Sequence, residues 1–359
     1  MSTISVWEGL PIISLASAEG AGRADFLHAL REIARDPGFF YLTDHGVDPA
    51  LIDQVFALSR RFFDLPLEDK LAIEMVNSPH FRGYTRVGSE VTRNAPDWRE
   101  QLDIGAERQA LPASPDSPGW TRLQGPNQWP VALPELQGPL LRYQAAVTDL
   151  AIRLLRLFAE SLGQAPDFFE PLYRDLPDQL VKIIRYPGRD IALSEQGCGA
   201  HKDGGLLTFV AQHEQGGLEA ETSAGWVAAP PIPGAFNVNL GELLEMASDG
   251  YLRATVHRVV APPAGRDRLS IAFFLGGRLD ARVPKIALPP DLARQARGQD
   301  QDQDPENPLF LDVGVNRLKS RLRSHPDVAR RHYADLDAAL APPFQPNSRN
   351  RPDPAKASS

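Results

Sequence analysis

The chain has a single cysteine, Cys198, among its 359 residues, which excludes an intramolecular disulfide. No apolar run approaches the ~20 residues that a membrane-spanning helix needs. The N-terminal stretch from Met1 to Glu8 has neither the basic segment nor the apolar segment of a signal peptide. Basic residues are outnumbered, 38 Lys and Arg against 46 Asp and Glu. The resulting charge of −8 argues against broad nucleic-acid binding, although a local basic pocket can still bind an acid. No internal repeat is found. These absences predict a cytoplasmic protein with neither membrane nor nucleic-acid partners. What is present is an ordinary globular composition: 42% of residues are hydrophobic, and the length suffices for one large core or two domains.

The first part of the chain reads as mainly helical around a short strand. Asp48 before Pro49 predicts a helix start, because an Asp can cap free amide groups and Pro is preformed for the first turn. Leu51, Ile52, Val55, Phe56, Phe62 and Phe63 then recur on one face. Pro- and Gly-rich sequence over 111–130 predicts a long connection, and the apolar spacing over 134–162 predicts a long supporting helix. From about residue 180 the pattern changes to short strands separated by Gly and Pro, at 181–186, 206–210, 226–227, 235–240, 254–260 and 268–274, the layout of a jelly roll. A polar loop at 295–307 precedes helical sequence over about 309–340. The expected fold is mixed α and β. A double-stranded β-helix (jelly-roll) core occupies 179–280, with an N-terminal helical and strand region at 1–133, a supporting helix and connection at 134–178, and a C-terminal loop and helices at 281–341. The tail at 342–359 is too polar and Pro-rich to pack.

The most informative residues are His201-Lys202-Asp203, then His257, then Arg268-Leu269-Ser270. Two imidazoles and a carboxylate form a mixed nitrogen and oxygen donor set that suits Fe(II), and covering one face of the ion leaves positions open for oxygen chemistry. In an extended strand side chains repeat every second residue, so His201 and Asp203 are expected to share a side while Lys202 points away. His257 lies in a β-branched run that reads as a neighbouring strand. Arg268 and Ser270, again two apart, are expected to face the same interior. An H-x-D triplet alone is a weak signal; its conjunction with a lone strand His and an R-x-S, in that order, is strong.

Longer stretches carry a resemblance. Gly38-Phe39-Phe40-Tyr41-Leu42, His45-Gly46-Val47, Phe62-Phe63, Leu65-Pro66, Arg82-Gly83-Tyr84, Arg185-Tyr186-Pro187, Asn239-Leu240-Gly241 and His257-Arg258-Val259 make nearly the whole chain resemble the isopenicillin N synthase-like family of non-haem Fe(II) oxygenases. Most members of that family use 2-oxoglutarate. The resemblance implies that His201, Asp203 and His257 bind Fe(II), and that Arg268 anchors the far carboxylate of 2-oxoglutarate with hydroxyl donors from Ser270 and Tyr186. A guanidinium can make paired charge-assisted bonds to a carboxylate. It also implies that O2 oxidises a small-molecule substrate, by default through hydroxylation, while 2-oxoglutarate becomes succinate and CO2. A carboxylate at Asp203 argues against halogenation, because related halogenases keep a small residue there.

Phe274, six positions after Arg268, stands where the family often sets an aromatic against substrate, and Arg82 and Tyr84 are placed at the pocket mouth. The other histidines are read as structural or exposed, Cys198 as an inert buried thiol, and Asn239 and Gly241 as turn-shaping. Two alternatives stay open at this point: an oxidative cyclase that needs no 2-oxoglutarate, like isopenicillin N synthase itself, and a non-catalytic metal-stabilised barrel that binds a small acid. Substrate identity and oligomeric state are left open by the sequence.

Overall fold

Side-chain alternation along β-branched and aromatic segments produces fifteen strands among the residues described by the computed structural model, which are 4–112, 114, 116–175, 177–190, 196–298 and 308–336. They are β1 Ile4–Trp7, β2 Leu10–Ser14, β3 Phe39–Thr43, β4 Gly83–Thr85, β5 Val91–Thr92, β6 Ala95–Pro96, β7 Glu100–Gly105 and β8 Gln179–Tyr186, then β9 Gln196–His201, β10 Leu207–Gln212, β11 Leu218–Thr222, β12 Gly225–Ala228, β13 Phe236–Leu240, β14 His257–Val260 and β15 Arg268–Leu275. The helices are α1 Arg23–Arg35, α2 Pro49–Phe63, α3 Leu67–Leu71, α4 Gln137–Ser161, α5 Glu170–Tyr173, α6 Glu242–Ala247, α7 Pro290–Ala293, α8 Val313–Ser324 and α9 Pro326–His332.

A nine-stranded sheet runs in the order β1-β2-β3-β13-β10-β15-β8-β7-β4, and a four-stranded sheet in the order β12-β11-β14-β9. Pairings are antiparallel except between β2 and β3. Together the two sheets make the jelly-roll core, with their inner faces in one buried cluster that includes Tyr41, Ile184 and Tyr186 from the large sheet and Cys198, Leu218 and Val259 from the small one.

Period-two alternation sorts the large sheet's side chains between two environments. On β15, Leu269, Ile271, Phe273 and Leu275 join the outer core, which also holds Phe26, Val55, Phe62, Leu140, Val147 and Leu154 from α1, α2 and α4. Arg268, Ser270, Ala272 and Phe274 therefore face the opposite way, into the barrel. Each fully buried Leu or Phe on the outer face contributes about 1.5–3 kcal/mol, so the helices hold this sheet firmly while its inner face carries polar groups.

The helix start at Asp48 is as expected: its Oδ1 accepts from Ala50 N at 2.9 Å, ahead of Pro49 at the first turn. The long helix at 134–162 is present as a short 3-10 turn leading into α4. Two expectations need correction. The helical stretch after 309 is broken at His325, because Pro326 has no amide to continue α8 and instead begins α9. The strand expected over 254–260 starts only at His257. Most of the polar loop, the end of the last helical stretch and the tail lie outside the described residues. No helix among the described residues is long and apolar enough to cross a membrane.

Candidate functional site

His201 ends β9, and His257 opens β14 directly opposite it in the antiparallel register. The strand pairing alone therefore sets the two imidazoles side by side, with ring centroids 4.4 Å apart. The hydrogen-bonded strand β9 stops at His201, and Asp203 stands two residues past its end, just before the bend at 204–206. The carboxylate reaches the same point nonetheless. Its Oδ1 lies 3.5 Å from His201 Nε2 and its Oδ2 lies 3.7 Å from His257 Nε2. One donor atom from each of the three residues falls within 4.8 Å of the others, so small side-chain shifts bring all three onto a single ion.

The surroundings orient each donor. His201 Nδ1 is 2.7 Å from the Gly199 carbonyl and His257 Nδ1 is 3.0 Å from the Thr255 carbonyl. Both Nδ1 atoms therefore carry the proton and leave Nε2 free for an ion. Thr208 Oγ1 at 2.6 Å and Asn239 Nδ2 at 2.8 Å both donate to Asp203 Oδ2, leaving Oδ1 unengaged by these donors. Burial alone would push the Asp203 carboxyl up, but His257, His201 and Asn239 hold it well below the usual carboxylate range. Burial lowers His257 below the ordinary imidazole value despite the pull of Asp203. The result is an ionised carboxylate beside one imidazole that resists protonation, while at His201 burial is outweighed by Cys198 and Asp203, which raise it above the ordinary imidazole value, so a divalent cation must displace a proton there. Lys202 points away, as expected, and donates to Glu245 Oε2 at 2.9 Å.

The segment leading into His257 is clamped from outside. Arg253 N donates to Ala34 O at 2.9 Å, and the Thr255 hydroxyl donates to the Pro37 carbonyl. The clamp depends on Gly38, which has φ +75° and where an added Cβ would stand 2.2 Å from the Arg253 carbonyl oxygen. Gly38→Ala is expected to destabilise the fold by at least ~2 kcal/mol, through strain plus backbone displacement, and to weaken metal binding by shifting Thr255 and hence His257. Urea unfolding and metal titration of the same variant check both effects.

Deeper in the barrel, Arg268 and Tyr186 are register partners on β15 and β8, with the guanidinium 4.9 Å from the Tyr186 ring centroid. Arg268 is 1% exposed. It donates to Ser270 Oγ at 3.1 Å and Gln212 Oε1 at 2.8 Å, and its Nε has no partner. Among the described residues it has no carboxylate partner, so a buried cation is held by neutral groups alone. That is costly unless an anion completes it.

Beside the His201, Asp203 and His257 trio, a cavity of about 540 Å³ includes His201, Asp203, Leu180 and Phe274 in its lining, a size typical of small-molecule sites. Its wall carries ten Lys and Arg side chains against six Asp and Glu, the reverse of the balance in the chain as a whole. Several are buried pairs: Glu90 accepts from Lys182 at 2.8 Å and Arg99 at 2.9 Å, and Asp103 accepts from Arg321 at 2.9 Å. Helix α8 supplies Arg317 and Arg321, so it packs over the barrel mouth and closes the cavity.

Of the residues singled out in the sequence, the structure brings His201, Asp203 and His257 together, sets Arg268, Ser270 and Tyr186 together, and places Phe274 in the cavity wall. Arg82 and Tyr84 are placed elsewhere. Arg82 is buried against Gly105 and bonded to the carbonyls of His80 and Leu123, while the Tyr84 hydroxyl donates to Glu100 Oε2 at 2.6 Å. Neither lines the cavity. Asn239, read as turn-shaping, instead orients Asp203. Thr208, Gln212 and Arg317 were missed. Thr208 and Gln212 occupy inward alternate positions on β10, a local signal, but their partners depend on strand order.

Comparison with known proteins agrees with this geometry. Residues 10–132 match the family described as non-haem dioxygenase in morphine synthesis N-terminal, and residues 177–277 match the 2OG-Fe(II) oxygenase superfamily. A protein of Dothideomycetidae sp. (strain 11243) named 2-oxoglutarate-dependent dioxygenase frbJ is 35% identical over 93% of this chain and 95% of its own length. A homoarginine-6-hydroxylase of Arabidopsis thaliana is 34% identical over 79% of this chain and 89% of its own. Among solved structures, a full-length Neurospora crassa protein in complex with alpha-KG and 5-formyluracil superposes with a TM-score of 0.69 at 25% identity, covering 93% of this chain and 100% of that one. A rice dioxygenase for auxin oxidation superposes with a TM-score of 0.63 at 28% identity, covering 89% and 99%.

Proposed function

This chain belongs to the 2OG-Fe(II) oxygenase superfamily and is a 2-oxoglutarate-dependent non-haem Fe(II) dioxygenase, and we propose that His201, Asp203 and His257 hold its iron while Arg268, Ser270 and Tyr186 hold its 2-oxoglutarate. The observation that carries this assignment is the pairing of two incomplete sites in one barrel: a convergent His, Asp, His donor set and an inward-facing buried guanidinium with no carboxylate of its own among the described residues. A 2-oxoglutarate-dependent oxygenase is favoured over an oxidative cyclase or a non-catalytic barrel by the relative named 2-oxoglutarate-dependent dioxygenase, which matches nearly the full chain.

When bound, Fe(II) supplies the activation of O2 that couples conversion of 2-oxoglutarate to succinate and CO2 with oxidation of a substrate C–H bond. The protein's own part is positioning. Thr208 and Asn239 fix the Asp203 carboxylate, and the carbonyls of Gly199 and Thr255 fix the tautomers of the two imidazoles. Arg268 neutralises the far carboxylate of 2-oxoglutarate and sets its distance from the donor trio, with the Ser270 hydroxyl alongside. Tyr186, its phenol held in the protonated form by burial, is a further donor. The apolar faces of Leu180 and Phe274 keep the reacting region dry.

The substrate is a small molecule oxidised in the cavity beside the trio, most simply by hydroxylation. The homoarginine hydroxylases among the relatives make L-homoarginine the first compound to test.

The test is anaerobic addition of 2-oxoglutarate to Fe(II)-loaded protein. Chelation gives a visible charge-transfer band, and subsequent O2 gives one succinate per 2-oxoglutarate consumed. Protein that binds Fe(II) yet develops no band would overturn the reading.

A further inference from the structure

The cavity's cations differ in how completely they are satisfied. Lys182 and Arg99 contact Glu90 within the wall, and Arg321 contacts Asp103 behind it. Arg317, from α8, is held differently. Its Nε lies 2.8 Å from Asp178 Oδ2, and its two terminal amino groups form no hydrogen bond among the described residues. Holding a guanidinium by Nε leaves the fork of terminal N–H groups free and rotationally fixed, the arrangement that suits paired recognition of a carboxylate.

Register locates this fork relative to the metal-ligand trio. Thr208, which bonds Asp203, pairs with Phe274 on β15, and Phe274 pairs with Leu180 on β8. Asp178, two residues before Leu180, therefore stands about 7 Å farther along the strand direction, with Arg317 against it. Phe274 and Leu180, level with Thr208, form the apolar stretch of the same cavity from which that step begins. Arg268 lies at the other end of β15, six residues from Phe274, so the two guanidinium groups cannot serve the same carboxylate.

We propose that Arg317 binds the carboxylate of the primary substrate, so that this enzyme oxidises small organic acids at a carbon several bonds removed from that carboxylate. The proposal rests on the assignment of His201, Asp203 and His257 to the metal. It adds a substrate class and a residue that selects it. The excess of Lys and Arg in the cavity wall favours the same sign of substrate charge.

The experiment uses protein loaded with Zn(II) and 2-oxoglutarate, which binds without turnover, and measures calorimetric affinities for L-homoarginine and a set of medium-chain monocarboxylic acids, each paired with its methyl ester. Wild type is expected to bind acids at least about tenfold more tightly than the matching esters. Arg317→Gln removes that preference and Arg317→Lys keeps part of it. Both bind 2-oxoglutarate within about twofold of wild type. If Arg317→Gln does not fold because Asp178 is left alone, the Asp178→Asn, Arg317→Gln double variant, which removes both charges, is expected to show the same loss. The proposal is overturned if wild type binds none of the acids or prefers the esters, or if a folded Arg317→Gln or double variant discriminates as wild type does. Loaded wild-type protein that fails to bind 2-oxoglutarate overturns the metal and co-substrate assignment instead.

Discussion

Asp203→Ala protein is expected to bind Fe(II) at least ~100-fold more weakly than wild type and to form succinate at background level. Altering groups that only orient metal ligands costs 10–100-fold in affinity, and a carboxylate that is itself a ligand contributes more. The stability readout separates this from simple misfolding. Asp203 is buried, and its Oδ2 accepts from both Thr208 and Asn239. Alanine leaves two buried donors without an acceptor, at about 1–3 kcal/mol each. Asp203→Asn keeps a carbonyl oxygen for them and removes only the charge. The asparagine variant should therefore lose metal affinity comparably to the alanine variant while unfolding at a urea midpoint closer to wild type. Metal titration and urea unfolding on the same preparations check this, and an alanine variant that retains tight Fe(II) binding would refute the ligand assignment.

Arg268→Met should weaken 2-oxoglutarate binding roughly 30-fold or more, because truncating one partner of a buried charge pair costs about 2–5 kcal/mol. Its effect on the ligand-free protein should be small, within about 1 kcal/mol. Methionine removes a buried cation that has no carboxylate partner, which favours folding, and forfeits hydrogen bonds to Ser270 and Gln212, which opposes it by a similar amount. Wild type loaded with Zn(II) should show a Tm that rises with 2-oxoglutarate concentration by mass action, and the Arg268→Met protein should show almost no such rise. A large loss of ligand-free stability, with 2-oxoglutarate affinity retained, would make Arg268 a structural residue.

These two sites were legible to different depths. His201, His257, Arg268 and Ser270 stand on strands whose alternation is local, so sequence spacing predicts both that they face inward and that they are paired by chemistry. Asp203 keeps the expected side, beside His201, with Lys202 between them directed to Glu245. It lies past the end of β9, and its carboxylate is held by donors from β10 and β13, which the spacing does not reveal. Arg82 and Tyr84 stand beside motif residues in sequence, yet the pairing of β4 with β7 puts Tyr84 against Glu100 and Arg82 against Gly105.

By itself, the amino-acid order determined the jelly-roll class and singled out His201, Asp203, His257, Arg268 and Ser270 as inward-facing candidates, because strand periodicity and donor chemistry are properties of neighbouring residues. Tertiary structure alone decided that Thr208 and Asn239 serve Asp203, that Gln212 supports Arg268, and that α8 lays Arg317 over the cavity against Asp178. Each of those contacts joins segments whose proximity comes from strand order, antiparallel register and helix docking. Such proximity is fixed when the chain buries its apolar faces together, and no local pattern encodes it.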